Sequence, residues 1–449
     1  MSAPTELPSS STLKATAKRN NFQFSIFNFQ FLKIIHTADL HLGHIMYHYY
    51  DRVDEHDHFF SQLRGWCAEY RPDALIVSGD VFDIPQPSAV VKEYFNRTFV
   101  QLHRDFPDIA IVITAGNHDS ASRIEADRSV WGMSGVTLIG HGPKEFSPKE
   151  LDAFSVDVTN LNRFIVELPS GFIVAMPYMT VNRREVQQAL LDRVAELNVN
   201  GLPVVMMAHT AIAGGDFLGQ GEIGTVKTTS PDEMGSGFDY LALGHIHRPQ
   251  TIGMDIGDES LAVSHYQSPV MRYSGSALHV SCDEHYPHSV SLVEIDRHDG
   301  DVTVTRLRID ELRHFYIVPP LDAKPAASAE EVEVLLSEFC RTHERGYLRL
   351  NLDYRASDLN LRRVVYPLLE ATNNEVRYNP KAIWQNRTEV DGGKTAPVFE
   401  VTELSQMTDP LEFVRKTIEH YPSLNPDTLE ADFAEIEKEL MVELCVPQS

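Results

Sequence analysis

Five short apolar runs in this chain end on residues able to hold a metal ion, and that recurrence constrains the fold more than any other feature. Lys33-Ile34-Ile35 leads into Asp39-Leu40-His41, and Ala74–Ser78 leads into Gly79-Asp80, with Asp83 close behind. Ile109–Thr114 is followed by Gly116-Asn117-His118-Asp119, Val204–Ala208 by His209, and Tyr240–Leu243 by Gly244-His245-Ile246-His247. Segments so far apart in sequence can share one site only if the runs are neighbouring strands whose carboxyl ends meet along one edge, as in open α/β sheets. The pattern therefore predicts an α/β fold with a metal centre at that edge.

The intervening sequence agrees. Phe59, Leu63, Trp66 and Tyr70 recur at helical spacing between the first two runs and are expected to pack on the sheet. Phe172–Met176 reads as a further strand. A chain of 449 residues is too long for one ordinary core and implies two or three domains. Its net charge of −25 argues against holding nucleic acid by bulk electrostatics. An acidic chain that cuts nucleic acid would need metal ions to offset its carboxylates, or a partner to supply the basic surface. Cys67, Cys282, Cys340 and Cys445 form no CxxC pair, which predicts reduced thiols and a cytoplasmic location. No apolar run approaches the ~18 residues of a membrane span, so no membrane association is expected.

Two divalent ions roughly 3.5–4 Å apart need a shared anionic ligand, with terminal ligands that leave room for water and substrate. Asp80 is the natural bridge. Carboxylates, imidazoles and one amide oxygen, with no thiolate, suit Mn²⁺ or Fe²⁺ and permit zinc. Only five of the 20 histidines fall in these segments, so no single histidine carries the inference; the ordered set does. His36 and His44 receive no role.

The ordered motifs resemble the calcineurin-like metallophosphoesterase superfamily. Within it, "KIIHTADLHLG", "GDVFDIPQPS", "AGNHDS", "LALGHIHRPQ" and "MRYSGSALHVS" resemble the SbcD nuclease family of DNA double-strand break repair. The resemblance implies a metallophosphoesterase-type β-sandwich flanked by helices. It implies one ion on Asp39, His41, Asp80 and His247, a second on Asp80, Asn117, His209 and His245, and Mn²⁺ as the metal. His118 would stabilise developing charge or protonate the leaving oxygen, with Asp119 orienting it. Asp83, which has a histidine counterpart in archaeal and eukaryotic members, is a less secure catalytic residue. Tyr273-Ser274-Gly275-Ser276 is the motif that sets the nuclease branch apart, and Tyr273 and Ser274 are expected at the substrate.

Along the chain, residues 1–31 read as a disordered extension and 32–320 as the catalytic domain. A small α/β capping domain is expected over 321–385, a linker over 386–407, and a pair of amphipathic helices over 408–449. The segment 253–267 looks inserted. The resemblance implies that the terminal helices bind an SbcC-type ATPase, that the substrate is DNA, and that the chain pairs as a homodimer within a heterotetramer. The function so implied is hydrolysis of DNA phosphodiesters, as a 3′-to-5′ exonuclease on duplex and an endonuclease on single strands and hairpins. The alternative is another phosphoesterase acting on nucleotides or phosphoproteins.

Overall fold

The computed structural model describes residues 31–143, 145–146, 155–156, 158–181, 184–217, 228–254, 261–263, 269–281, 284, 286–353, 361–372 and 375–385. The expected extension up to residue 30, the linker, the terminal helices and much of segment 253–267 lie outside them.

The first sheet comprises β1 (Phe31–Thr37), β2 (Ala74–Ser78), β3 (Ala110–Thr114), β4 (Val136–Ile139) and three later strands. The second opens with β5 (Ile165–Leu168), β6 (Gly171–Ala175), β7 (Val204–His209), β8 (Tyr240–Gly244) and β9 (Gln250–Thr251). Then come β10 (Leu261–Val263), β11 (Val270–Tyr273), β12 (Ser289–Asp296) and β13 (Val302–Arg308). The strand orders are β10-β13-β12-β1-β2-β3-β4 and β9-β11-β8-β7-β6-β5. β1 lies parallel to β2, with Ile34 opposite Ala74, and antiparallel to β12, with Phe31 opposite Asp296. Phe31 thus belongs to the sheet, one residue earlier than the sequence suggested.

Alternation along β1 to β3 explains the layers. Ile34, Ile76 and Val112 face Val174, Met206 and Leu241 of the second sheet in one core. Ile35, Leu75, Val77, Ile111 and Ile113 take the other face, against α1 (Val53–Tyr70) and α2 (Ala89–Asp105) through Phe59, Leu63, Phe95 and Phe99. Strands covered on both faces read as unbroken apolar runs, which is why these stood out in the sequence. A third helix, α3 (Arg184–Leu197), adds Val186, Leu190 and Val194 to the core of the second sheet. The β-sandwich flanked by helices is therefore present. His36, unassigned from sequence, is a core residue: it is fully buried, and its Nδ1 lies 2.9 Å from the Tyr240 hydroxyl of the facing sheet.

Beyond the sandwich, β14 (Phe315–Val318), β15 (Arg345–Asp353) and β16 (Glu375–Gln385) form a three-stranded sheet. With α4 (Ala329–Thr342) and α5 (Leu361–Ala371) it encloses its own core of Val332, Leu336, Phe339, Leu348, Leu350 and Val365. Ser328 caps α4 by accepting from the Glu331 amide. A buried ionic seam ties this module to α1. Glu55 accepts from Arg52 at 2.6 Å, from Arg377 at 2.9 Å and from the Tyr347 hydroxyl, and Arg313 bridges Asp54 and Glu375, each at 2.6 Å.

Candidate metal centre

Because β1, β2, β3, β7 and β8 end on the same side, the five ligand-bearing segments converge. Asp39, His41 and His247 bring one ligand-type atom each within 4.8 Å of the others, and Asp80, His209 and His245 do the same. Asn117 joins the second group, its Oδ1 lying 3.0 Å from His209 Nε2 and 2.8 Å from His245 Nδ1. Asp80 stands between the groups, with Oδ2 3.3 Å from His209 Nε2 and 3.9 Å from His41 Nε2.

The backbone is strained to achieve this. Asp39, His41, Asp80 and His245 all have positive φ, at 50°, 44°, 47° and 96°. Such conformations cost on the order of 1–3 kcal/mol each in non-glycine residues and cluster at functional sites. Close approach explains two neighbouring glycines. A Cβ on Gly116 would come within 2.1 Å of Asp80 Oδ1, and one on Gly244 within 1.9 Å of the Ser78 carbonyl oxygen.

Two of the candidate imidazole ligands are held by a hydrogen bond to an outer partner. His209 Nδ1 donates to the Ser78 carbonyl at 2.8 Å, which turns Nε2 towards Asp80 and Asn117. His247 Nδ1 lies 2.9 Å from Glu284 Oε1. His41 is buried with neither ring nitrogen hydrogen-bonded, and Asp83 approaches its Nδ1 to 3.4 Å. Buried polar atoms without partners are uncommon, and these are placed to ligate a cation. The donors present fit divalent metal ions: two carboxylates, four imidazoles and an amide oxygen meet at one strained edge.

Electrostatics agree. Burial alone would raise the Asp80 carboxyl, but His209 beside it holds it far below the usual carboxylate range. Burial would lower His209, yet Asp80 and Asp39 raise it to about 9. A field that draws a proton onto a fully buried imidazole is one that attracts a cation. Burial pushes Asp39 up, and burial together with the neighbouring His209 brings His245 down to about 3.

The remaining expected residues are placed differently from the sequence reading. His118 is exposed beside the candidate ligands, its ring 4.9 Å from that of His41 and its amide donating to Asp80 Oδ1 at 2.8 Å. It is the main-chain carbonyl of Asp83, 2.8 Å from Nδ1, that orients the ring. Asp119 does not orient it: that carboxylate is buried and accepts from the amides of Val81, Phe82 and Gly116 at 3.0, 2.9 and 2.8 Å, tying two ligand loops together. Burial and the nearby Asp80 raise its pKa to about 6. Asp83 meets His41 from behind, as a positioning residue. Tyr273 and Ser274 are fully buried, so neither reaches substrate. The Tyr273 hydroxyl instead donates to the Thr210 carbonyl at 2.8 Å and accepts from the Ile212 amide at 2.7 Å, fixing the loop that follows His209. The alternation of β11 turns that side chain inward. Sequence reasoning missed Glu284; the only hint was that every ligating histidine needs an outer partner.

Residues 32–249 match the family model for the calcineurin-like phosphoesterases. A relative from Rhodobacter capsulatus, named as the D subunit of the nuclease SbcCD, is 30% identical over 284 residues, covering 59% of this chain and 66% of that protein. The protein of the same name from Escherichia coli is 27% identical over 281 residues, covering 56% and 62%. The one from Staphylococcus saprophyticus is 24% identical over 381 residues, covering 79% and 88%. The first two matches each span a little under two thirds of the relative. No helix among the described residues is long and apolar enough to cross a membrane. Residues 32–249 thus form a calcineurin-like phosphoesterase domain, in a chain similar to the SbcD components of SbcCD nucleases.

Proposed function

We propose that this chain is the metal-dependent nuclease subunit of an SbcCD-like complex, hydrolysing DNA phosphodiesters. The observation that carries the reading is the convergence of Asp39, His41, Asp80, Asn117, His209, His245 and His247 at one edge, in two groups that share Asp80. One ion would be held by Asp39, His41, Asp80 and His247, the other by Asp80, Asn117, His209 and His245, with Mn²⁺ the proposed metal. When bound, two such ions supply an activated water and offset phosphate charge. Asp80 spans the groups, and the Ser78 carbonyl, Asp83 and Glu284 hold the imidazoles in place. His118, exposed and steered through Nδ1 by the Asp83 carbonyl, turns Nε2 outward; in the doubly protonated ring that nitrogen would donate to a phosphate oxygen or pass its proton to the leaving oxygen.

The charge of −25 favours a partner that supplies the basic surface. An SbcC-type ATPase bound through residues 408–449 is the proposed partner, and a homodimer within a heterotetramer the proposed assembly. DNA binding by the isolated chain should then be weak and salt dependent, which fluorescence anisotropy would measure.

The deciding assay follows end-labelled linear duplex with Mn²⁺, Mg²⁺ or chelator, beside a free nucleotide. His118→Ala should lower Mn²⁺-dependent cleavage by about 10²–10⁴-fold with bound metal unchanged. Asp80→Asn should lose both cleavage and metal. Nucleotide hydrolysis without DNA cleavage, persisting when an SbcC-type ATPase and ATP are added, would overturn the proposal.

A further inference from the structure

A second cluster of imidazoles and carboxylates lies behind His247, outside the ligand set above. His279, Glu284 and His288 are 7%, 2% and 0% exposed, and each brings a ligand-type atom within 4.8 Å of the other two. They come from the loop after β11 and the approach to β12.

Hydrogen bonds fix which nitrogens carry protons. His288 Nδ1 is 2.9 Å from the Ser276 carbonyl oxygen, which can only accept, so Nδ1 is the donor; Ser276 Oγ sits beside it at 3.1 Å. Its Nε2 is thereby left with a lone pair. His279 Nε2 is 2.9 Å from the Glu311 carboxylate, again an acceptor, so His279 presents its lone pair at Nδ1. These two lone-pair nitrogens face each other at 3.0 Å, and Glu284 Oε2 lies 3.4 Å from His288 Nε2. Two lone pairs at that separation repel, so either a shared proton or a metal ion must lie between them. Histidines whose outer N–H goes to a carbonyl or carboxylate, with the inner nitrogen turned to a shared centre, are arranged as metal ligands are. Tetrahedral bonds of about 2.0–2.1 Å would set ligand atoms roughly 3.3 Å apart, between the two distances seen.

We propose that His279, Glu284 and His288 bind a separate divalent ion, zinc fitting the two-imidazole, one-carboxylate set best. Magnesium and calcium prefer all-oxygen shells. An open cleft of about 590 Å³, lined by His279, Glu284, Tyr286, Glu311 and Phe315 among others, gives the ion a way in and leaves a fourth position for water. The ion is structural. Glu284 spends one oxygen on it and the other on His247 Nδ1, so the ion stiffens the outer support of a residue at the catalytic edge. The proposal stands whether or not the chain cuts DNA.

The test counts zinc in the full-length chain. Protein stripped of metal, reloaded with zinc and dialysed is measured by elemental mass spectrometry in an Asp80→Asn background, which weakens the catalytic edge. One zinc per chain should remain, and adding His288→Gln should remove it. Glu284→Gln, which keeps the shape of the side chain, should weaken zinc binding at least about tenfold. Circular dichroism checks that each variant folds. Should His288→Gln misfold, Co²⁺ loaded into the Asp80→Asn protein still decides: its four-coordinate visible bands should be absent in His279→Gln. Zinc content that is the same with and without these substitutions, or no zinc retained in the Asp80→Asn protein, overturns the proposal and means that the two imidazoles share a proton.

Discussion

The metal edge and the seam between α1 and the three-stranded module both bury charge, and they do it in opposite ways. At the seam, Glu55 is enclosed by Arg52, Arg377 and the Tyr347 hydroxyl, and Arg313 joins Asp54 to Glu375. Opposite charges from the chain itself surround these groups, although Nε and Nη1 of Arg313 make no hydrogen bond among the described residues. At the edge, Asp39 and Asp80 face histidines, no lysine or arginine is hydrogen-bonded to them among the described residues, and the backbone carries four positive-φ ligands. Buried charge paired by the protein holds parts together. Buried charge left for an external cation marks a working site, and the fold tolerates the strain there because β1, β2, β7 and β8 are fixed by packing on both faces.

The largest effect should come from breaking the seam. Glu55→Ala leaves Arg52, Arg313 and Arg377 around an uncompensated pocket, and removing one partner of a buried charge pair costs about 3–5 kcal/mol. Denaturant unfolding of the chelated protein should show a loss of that size. Arginine and the tyrosine hydroxyl hold the Glu55 carboxyl below its ordinary pKa despite burial. A depressed carboxyl contributes stability that is present above its unfolded value and is lost as pH falls through the folded one, so the gap between wild type and Glu55→Ala should close in acid. A gap independent of pH would mean that Glu55 acts through packing alone. A smaller effect is expected for Asp83→Ala, which removes the carboxylate behind His41 and spares the carbonyl that steers His118. Outer partners of this kind change metal affinity about 10–100-fold. Metal titration should show weakened binding, and saturating Mn²⁺ should restore turnover; turnover that stays low at saturation would return Asp83 to the reacting atoms.

The residues that converge as candidate ligands were legible in the sequence because each follows an apolar run, and strands buried on both faces announce themselves without alignment or contact data. The same logic placed the sandwich and the helical stripe of α1. What was not legible depends on which way a side chain turns. Tyr273 and Ser274 lie next to the site in the chain, but the pleat of β11 and the loop after it bury them. Asp119 follows His118 immediately, yet its carboxylate turns back to three amides that end two different strands. Glu284 serves His247 from 37 positions away, inside a loop with no periodic pattern. Local sequence carries the first contact with a metal well, because ligand chemistry restricts residue type. It carries the outer contact poorly, because any carbonyl or carboxylate within reach will do.

The smallest effect has the opposite sign. Asp39 is buried with Asp80 nearby, and burial raises its carboxyl above the ordinary value. A raised carboxyl means that the folded, metal-free chain binds protons more tightly than the unfolded one, so this group lowers stability as pH rises above the unfolded pKa. Asp39→Asn keeps the side chain's shape and an oxygen able to accept from the His245 amide, which Asp39 does at 3.0 Å, while discarding the charge. In chelator at neutral pH the variant should be more stable than wild type by about 0.5–2 kcal/mol, the range common for single stabilising changes. The difference should shrink towards acid, where Asp39 is itself protonated, and should reverse when metal is added, because wild type alone then gains the binding free energy. A variant less stable than wild type in chelator would mean that the Asp39 carboxylate is held by the protein as Glu55 is, and the contrast between edge and seam would fail at its central residue.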